Sequence, residues 1–152
     1  MTPRALHDEQ LTTISAGVDI VWAALLDTLD RSFSGPAART FARAVGCADP
    51  VPSGPRPIAA GATVTGFSVT RAIPGRELVL DGAHRFSSYT LTFRIAAAGA
   101  DRTLLTATSE ATFPRLGGAL YHLLVVRSRG HVVAVRRLLA SVRSRSEQHR
   151  PI

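Results

Sequence analysis

The chain has 152 residues, 45% of them hydrophobic and 19% charged, the balance of one soluble globular domain burying roughly 70% of its unfolded surface. A single cysteine, Cys47, excludes an internal disulfide framework, and the longest apolar-rich run, Ala119 to Val126, is broken by His122 and too short to span a bilayer. The net charge of +7 is carried by arginine alone: residues 1–114 balance, and the excess lies beyond them, where Arg115, Arg127, Arg129, Arg136, Arg137, Arg143, Arg145 and Arg150 face only Glu147.

Arginine to the exclusion of lysine, in an alanine-rich chain, is the usage of a GC-rich genome, so the basicity is first a solvated face and only second a binding surface. Met1 to Gln10 carries Arg4, His7, Asp8 and Glu9 and no apolar core, so no secretory signal is expected; with the lone thiol this suits the cytoplasm.

Gln10 to Ser15 reads as a short first strand. After Gly17, residues Val18, Trp22, Leu25, Leu26, Leu29 and Phe33 form one stripe at 3.6-residue spacing, a first helix. Pro36 can start a second short helix through Ala44, and the four prolines between Asp49 and Pro57 mark an irregular connection or short edge strand. Four strand-like runs follow with no helix among them. Thr63 to Ile73 ends at the Pro74–Gly75 turn. Glu77 to Phe86 sets Leu78, Leu80, Gly82, His84 and Phe86 on one face. Ser88 to Ile95 sets Tyr89, Leu91, Phe93 and Ile95 opposite Ser88, Thr90, Thr92 and Arg94. After a hairpin loop over Ala96 to Asp101, Thr103 to Phe113 returns with Leu105, Ala107, Ser109, Ala111 and Phe113 inward and Glu110 outward.

From about Gly117 to Arg145 the apolar residues recur at helical spacing. Leu116, Leu120, Leu123, Leu124, Ala134, Val135, Leu138 and Val142 make a broad face, with Arg129, Arg136 and Arg143 opposite and Gly130 in the interior. Val125, Val132 and Val133 interleave with Arg129 and Arg136 away from that face, an amphipathic mix that suits a homodimer interface or weak contact with an anionic membrane surface. A strand, one or two helices, a meander and a long last helix describe a curved antiparallel sheet gripping a helix, with a cavity between them. Residues 10–145 are expected to form this single domain, with 1–9 and 146–152 as flexible tails.

Several polar residues break the apolar parity of their elements. His84 shares a face with Leu78 and Leu80, Arg71 shares one with Phe67, Val69 and Ile73, and Arg127 and His131 project within about 20° of the Leu120 and Leu138 direction. Buried arginine needs a partner, so inward polar groups suggest a cavity wetted by water or ligand. The expected ligand pocket is therefore Trp22, Phe67, Val69, Arg71, His84, Tyr89, Leu91, Phe93, Leu120, Leu124, Arg127 and His131. No phosphate loop, serine elbow, cysteine cluster or His pair on one helix face is present: His122 and His131 lie about 180° apart. No metal or other cofactor is expected. Nucleic acid is not an expected partner either, because no stacking platform accompanies the arginines.

Several local phrases resemble the START-like (SRPBCC) superfamily of helix-grip proteins, which includes lipid-transfer START domains, polyketide cyclases and aromatases, and plant pathogenesis-related allergens. They are Val18–Asp19–Ile20–Val21–Trp22, Gly61–Ala62–Thr63 leading into a strand, Pro74–Gly75 with Leu78, Phe93, and the run from Thr108 through Phe113–Pro114 into Leu116–Gly117–Gly118 before the closing helix. The resemblance implies an α+β helix-grip fold with a deep hydrophobic cavity for a lipid, polyketide, sterol or hormone. It brings no universal catalytic residue. In a cyclase or aromatase of this type, His84 or Tyr89 would be the group that moves a proton; otherwise the protein binds or carries its ligand.

Overall fold

Period-two alternation over four consecutive strands, each turned back by a glycine-containing or two-residue connection, builds an antiparallel meander. In the computed structural model, which describes residues 4–33, 53–64, 66–84, 87–113 and 118–148 (side chains over 7–33, 53–64, 66–83, 88–112 and 132–148), the elements are β1 (Arg4–Ile14), α1 (Val18–Ser32), β2 (Thr63–Val64), β3 (Phe67–Ile73), β4 (Glu77–His84), β5 (Ser87–Gly99), β6 (Arg102–Phe113) and α2 (Gly118–Gln148). The strands form one curved six-stranded antiparallel sheet in the order β1-β6-β5-β4-β3-β2, with both helices on one face. The expected second helix from Pro36 and the residue Phe86 lie outside the described residues.

The Ile73–Arg76 turn follows its sequence. Pro74 supplies a φ near that of a turn's second residue, Gly75 takes φ +73°, and the Arg76 amide donates to the Ile73 carbonyl at 2.9 Å. Other boundaries differ from expectation. Thr63 to Ile73 is two strands, β2 and β3, folded back at Gly66 with φ +87°. The expected Ala96–Asp101 loop shrinks to Ala100 and Asp101, because Ala96 and Ala97 pair with Leu104 and Thr103. β1 starts at Arg4, so residues 4–9 are an edge strand rather than a tail, in register from Arg4↔Phe113 to Ile14↔Thr103. At the other end α2 continues through Gln148, with Ser146 buried and donating to the Val142 carbonyl at 2.7 Å.

The core lies between the sheet and the helices. Val21, Leu25 and Leu29 of α1 and Val135, Leu138, Leu139 and Val142 of α2 close over Ile14, Leu78, Leu80, Phe93 and Leu105. On α2 the buried stripe is turned slightly from the expected one: Leu139 is inside and Ala134 is exposed, as are Arg136, Arg137 and Arg143. The end of α2 is pinned on two sides. Glu147 Oε1 accepts from the Ser15 amide at 3.1 Å, and Arg145 Nη1 donates to Asp27 Oδ2 at 2.6 Å. Among the described residues, no helix is long and apolar enough to cross a membrane.

Candidate functional site

Directly opposed residues of an antiparallel ladder point to the same side, so the register turns the concave face into rows that run across the strands. One row is Asp8–Ser109–Leu91–Leu80–Val69. The next, toward the α1–β1 connection, is Gln10–Ala107–Phe93–Leu78–Ala72, and on the other side runs Ala111–Tyr89–Gly82. The middle of these rows is closed core: Leu91 is 3% exposed, and Phe93, Leu80 and Leu78 are wholly buried.

The face opens toward the row of Tyr89. There Phe33, Phe67 and Tyr89 are only half-buried. Phe33 and Phe67 meet edge-to-face at 5.4 Å, and Phe67 and Tyr89 at 5.0 Å, the geometry aromatic rings prefer. The Tyr89 hydroxyl donates to the Gly66 carbonyl at 2.8 Å, which ties the aromatic group to the β2–β3 turn. Gly82 makes this possible, since a Cβ there would collide with the Tyr89 ring and the Gly66 carbonyl oxygen.

The direction of α2 decides what faces this end. Arg136 Nε donates to Gln10 Oε1 at 3.2 Å, and Glu147 meets Ser15. From Arg136 to Glu147 the helix climbs about 16 Å, and from Gln10 to Ser15 the strand climbs about 17 Å, so α2 and β1 run side by side in the same sense. The N-terminal half of α2, with the backbone of Leu120, Leu124, Arg127 and His131, therefore lies toward the Tyr89 end; the side chains of these four and of His84 are outside the described residues. His84 does follow Gly82 on the inward parity of β4 and pairs with Ser87.

No protein-family model and no curated protein matches the sequence. Solved structures do match. Mll3558 from Rhizobium loti aligns over 95% of this chain and 99% of its own, with TM-score 0.57 and 17% identity. The Zhui aromatase/cyclase from Streptomyces sp. R1128 aligns over 91% and 94%, with TM-score 0.55 and 16% identity. Aha1 from Colwellia psychrerythraea, solved as a dimer, aligns over 93% and 96%, with TM-score 0.52 and 14% identity. The fold is START-like.

Within this START-like sheet the expected pocket residues separate. Val69, Leu91 and Phe93 are core; Phe67 and Tyr89 belong to the half-buried aromatic end, and Trp22 is half-buried on α1, one turn from Val18, whose side chain lies beside Gly75 of the β3–β4 turn. Arg71 does not belong to the face. A bulge between Val69 and Arg71 shifts the register, so that Ala72 takes the inward position opposite Leu78 and Arg71 turns out, 63% exposed and 3.3 Å from Glu77. Arg94 pairs with the same carboxylate at 3.1 Å. Because these contacts are solvent-exposed, Arg71→Ala is expected to cost less than about 1 kcal/mol in urea denaturation. Glu110 is outward as expected, against His7 at 3.4 Å.

Two residues of the aromatic end, Gly82 and Phe33, lie outside the expected pocket. Gly82 was visible as a glycine inside an alternating strand, the mark of a close approach. Phe33 sat on the stripe of α1 but at its C-cap. A separate groove of about 570 Å³ opens between α1 and the last turns of α2, around Ala23, Ala24 and Gln148. It contains none of the expected pocket residues, and the Arg31–Asp27–Arg145 ion pairs run along it. Among the described residues, no three His, Cys, Asp or Glu side chains converge to hold a metal.

Proposed function

We propose that this protein binds a hydrophobic small molecule, such as a lipid, a polyketide or a sterol-like compound, between the concave face of its sheet and the N-terminal half of α2. The observation that carries the reading is the aromatic group at the open end. Phe33, Phe67 and Tyr89 stay half-buried beside the enclosed row Val69, Leu80 and Leu91. Large apolar rings beside a few fixed polar atoms are the usual lining of a small-molecule site. The fold supports it, being that of SRPBCC-type ligand-binding and polyketide cyclase-like proteins. Leu120, Leu124, Arg127 and His131 would complete the wall from α2, and His84 from β4.

A second reading, a cyclase or aromatase, is favoured by the likeness to the Zhui aromatase/cyclase and by the Tyr89 hydroxyl at the open end. In that reading Tyr89 or His84 moves a proton. The Tyr89 proton is already given to the Gly66 carbonyl, however, so acid catalysis by Tyr89 would first have to break that bond. Binding without turnover is the simpler use of the same residues.

Native mass spectrometry of the purified protein, followed by denaturing extraction, tests both. The expected result is a defined apolar adduct whose occupancy falls about tenfold or more in Phe67→Ala and persists in Tyr89→Phe. Turnover of a poly-β-ketone that is lost in Tyr89→Phe or His84→Ala would replace binding with catalysis. A protein that carries no adduct, and whose Tm no lipid or aromatic polyketide shifts, would overturn both.

A further inference from the structure

Two contacts bridge the seam between the end of α1 and the β2–β3 hairpin. Phe33, at the C-cap of α1, meets Phe67 of β3 edge-to-face at 5.4 Å. One turn earlier on the helix, Asp30 Oδ1 accepts from Arg56 Nε at 3.1 Å. Arg56 belongs to the segment that leads into β2, and the rest of its guanidinium is engaged there. Nη1 donates to the Ser53 and Pro55 carbonyls, both at 3.0 Å, and Nη2 donates to the Thr63 carbonyl at 2.9 Å.

These bonds divide by what they join. The segment is fastened to the sheet by backbone: Ser53 and Thr63 exchange amide-to-carbonyl bonds at 3.2 and 2.8 Å, the Gly61 amide donates to the Val69 carbonyl at 3.0 Å, and the Val69 amide donates to the Ala62 carbonyl at 2.8 Å. Ile58 and Ala62 are buried in the core beneath it. Three of the four Arg56 bonds stay within the segment and the start of β2, and the fourth crosses to α1. Parting the seam therefore breaks Phe33–Phe67 and Arg56–Asp30 together and leaves the segment seated on the sheet. The ion pair suits such a break. Its side chains are 32% and 40% exposed, so water replaces either partner at small cost.

Resting on the binding reading above, we infer that Arg56 and Asp30 form the latch of an entrance to the aromatic end. Phe33 on α1 and Phe67 on the hairpin are its two leaves. Ligand passes when the seam parts, and the ion pair re-forms behind it. Arg56 is a positioning residue that touches no ligand. Its three carbonyl bonds keep the guanidinium aimed across the open seam, so closure recovers the pair without ordering a free side chain.

Stopped-flow fluorescence of the full chain with N-phenyl-1-naphthylamine and with cis-parinaric acid tests this. The latch is closed both before and after a ligand enters, so it sets rates and not affinity. Asp30→Ala should raise association and dissociation rates together, each by about threefold to fivefold, the scale of one partly exposed ion pair, while Kd stays within about twofold. Raising salt from about 0.05 M to about 0.5 M should speed exchange in the wild-type protein and leave Asp30→Ala nearly unchanged. Arg94→Ala, which removes an exposed ion pair with Glu77 on the outer face of the sheet, should alter neither rate. Unchanged rates in Asp30→Ala, or faster dissociation alone with a matching loss of affinity, overturns the latch and leaves the binding reading standing. If Asp30→Ala does not fold, Asp30→Asn and the salt dependence of the wild-type protein decide by the same criteria. Failure of both probes to bind the wild-type protein overturns the latch together with the binding reading.

Discussion

Gly82→Ala is expected to lower stability by about 3 kcal/mol, the upper part of the range for overpacking, and to reduce Tm by about 10 °C. The added carbon would stand where the Tyr89 ring and the Gly66 carbonyl oxygen already are, and the second obstacle is backbone, which no side-chain rotation can clear. Relief therefore requires β3 and β4 to part near the β2–β3 turn, and Tyr89 to shift from its place against Gly66 as well. Thermal denaturation of Gly82→Ala, Tyr89→Ala and the double variant separates the two. If the ring is the main obstacle, the double variant should be more stable than the sum of the single effects allows. Strict additivity would assign the cost to the backbone contact.

Phe93→Ala should cost about 3–5 kcal/mol in chemical denaturation, because the largest fully buried side chain among the described residues leaves a void in the row Gln10–Ala107–Phe93–Leu78. A loss below about 1 kcal/mol would mean that the face collapses around the deletion and is softer than its burial implies. Phe93 is thus a core residue. Phe67 and Tyr89, by contrast, are half-buried in edge-to-face contact, and are the positions at which the proposed binding is to be tested.

What the sequence revealed and what it hid have one physical origin. Tyr89, Leu91, Phe93 and Ile95 alternate cleanly because both flanking strands are present and one side is buried; the same holds for Leu105, Ala107 and Ser109. The helix stripe of α1 and the Pro74–Gly75 turn were legible for equally local reasons. β1 was half hidden. Its inward positions Asp8, Gln10 and Thr12 are polar, so no apolar period carries the strand back past Gln10, and only the ladder with β6 reveals that it begins at Arg4. The bulge at Val69–Arg71 was illegible because one extra residue reverses every later side chain, and nothing in Phe67–Ile73 marks where it falls. The rows of the concave face suffer most from this. Asp8 and Ser109 lie 101 positions apart, and their shared row exists only once the register is known.

The pairing of the first strand with the last has a temporal side. The β2-to-β6 meander joins neighbours in the chain, each hairpin closing over a short connection. β1 has no partner until residues 103–113 have been made, since its ladder runs from Ile14↔Thr103 to Arg4↔Phe113. On a ribosome, the first eleven-residue strand therefore emerges with its hydrogen-bonding edge unclaimed and waits through most of synthesis, and its closure carries the largest loop entropy of any ladder in the sheet. A run such as Arg–Ala–Leu–His–Asp–Glu–Gln, charged and poor in β-branched residues, is well suited to that wait. The polarity that disguised β1 as a tail also makes it a poor template for pairing with another nascent chain.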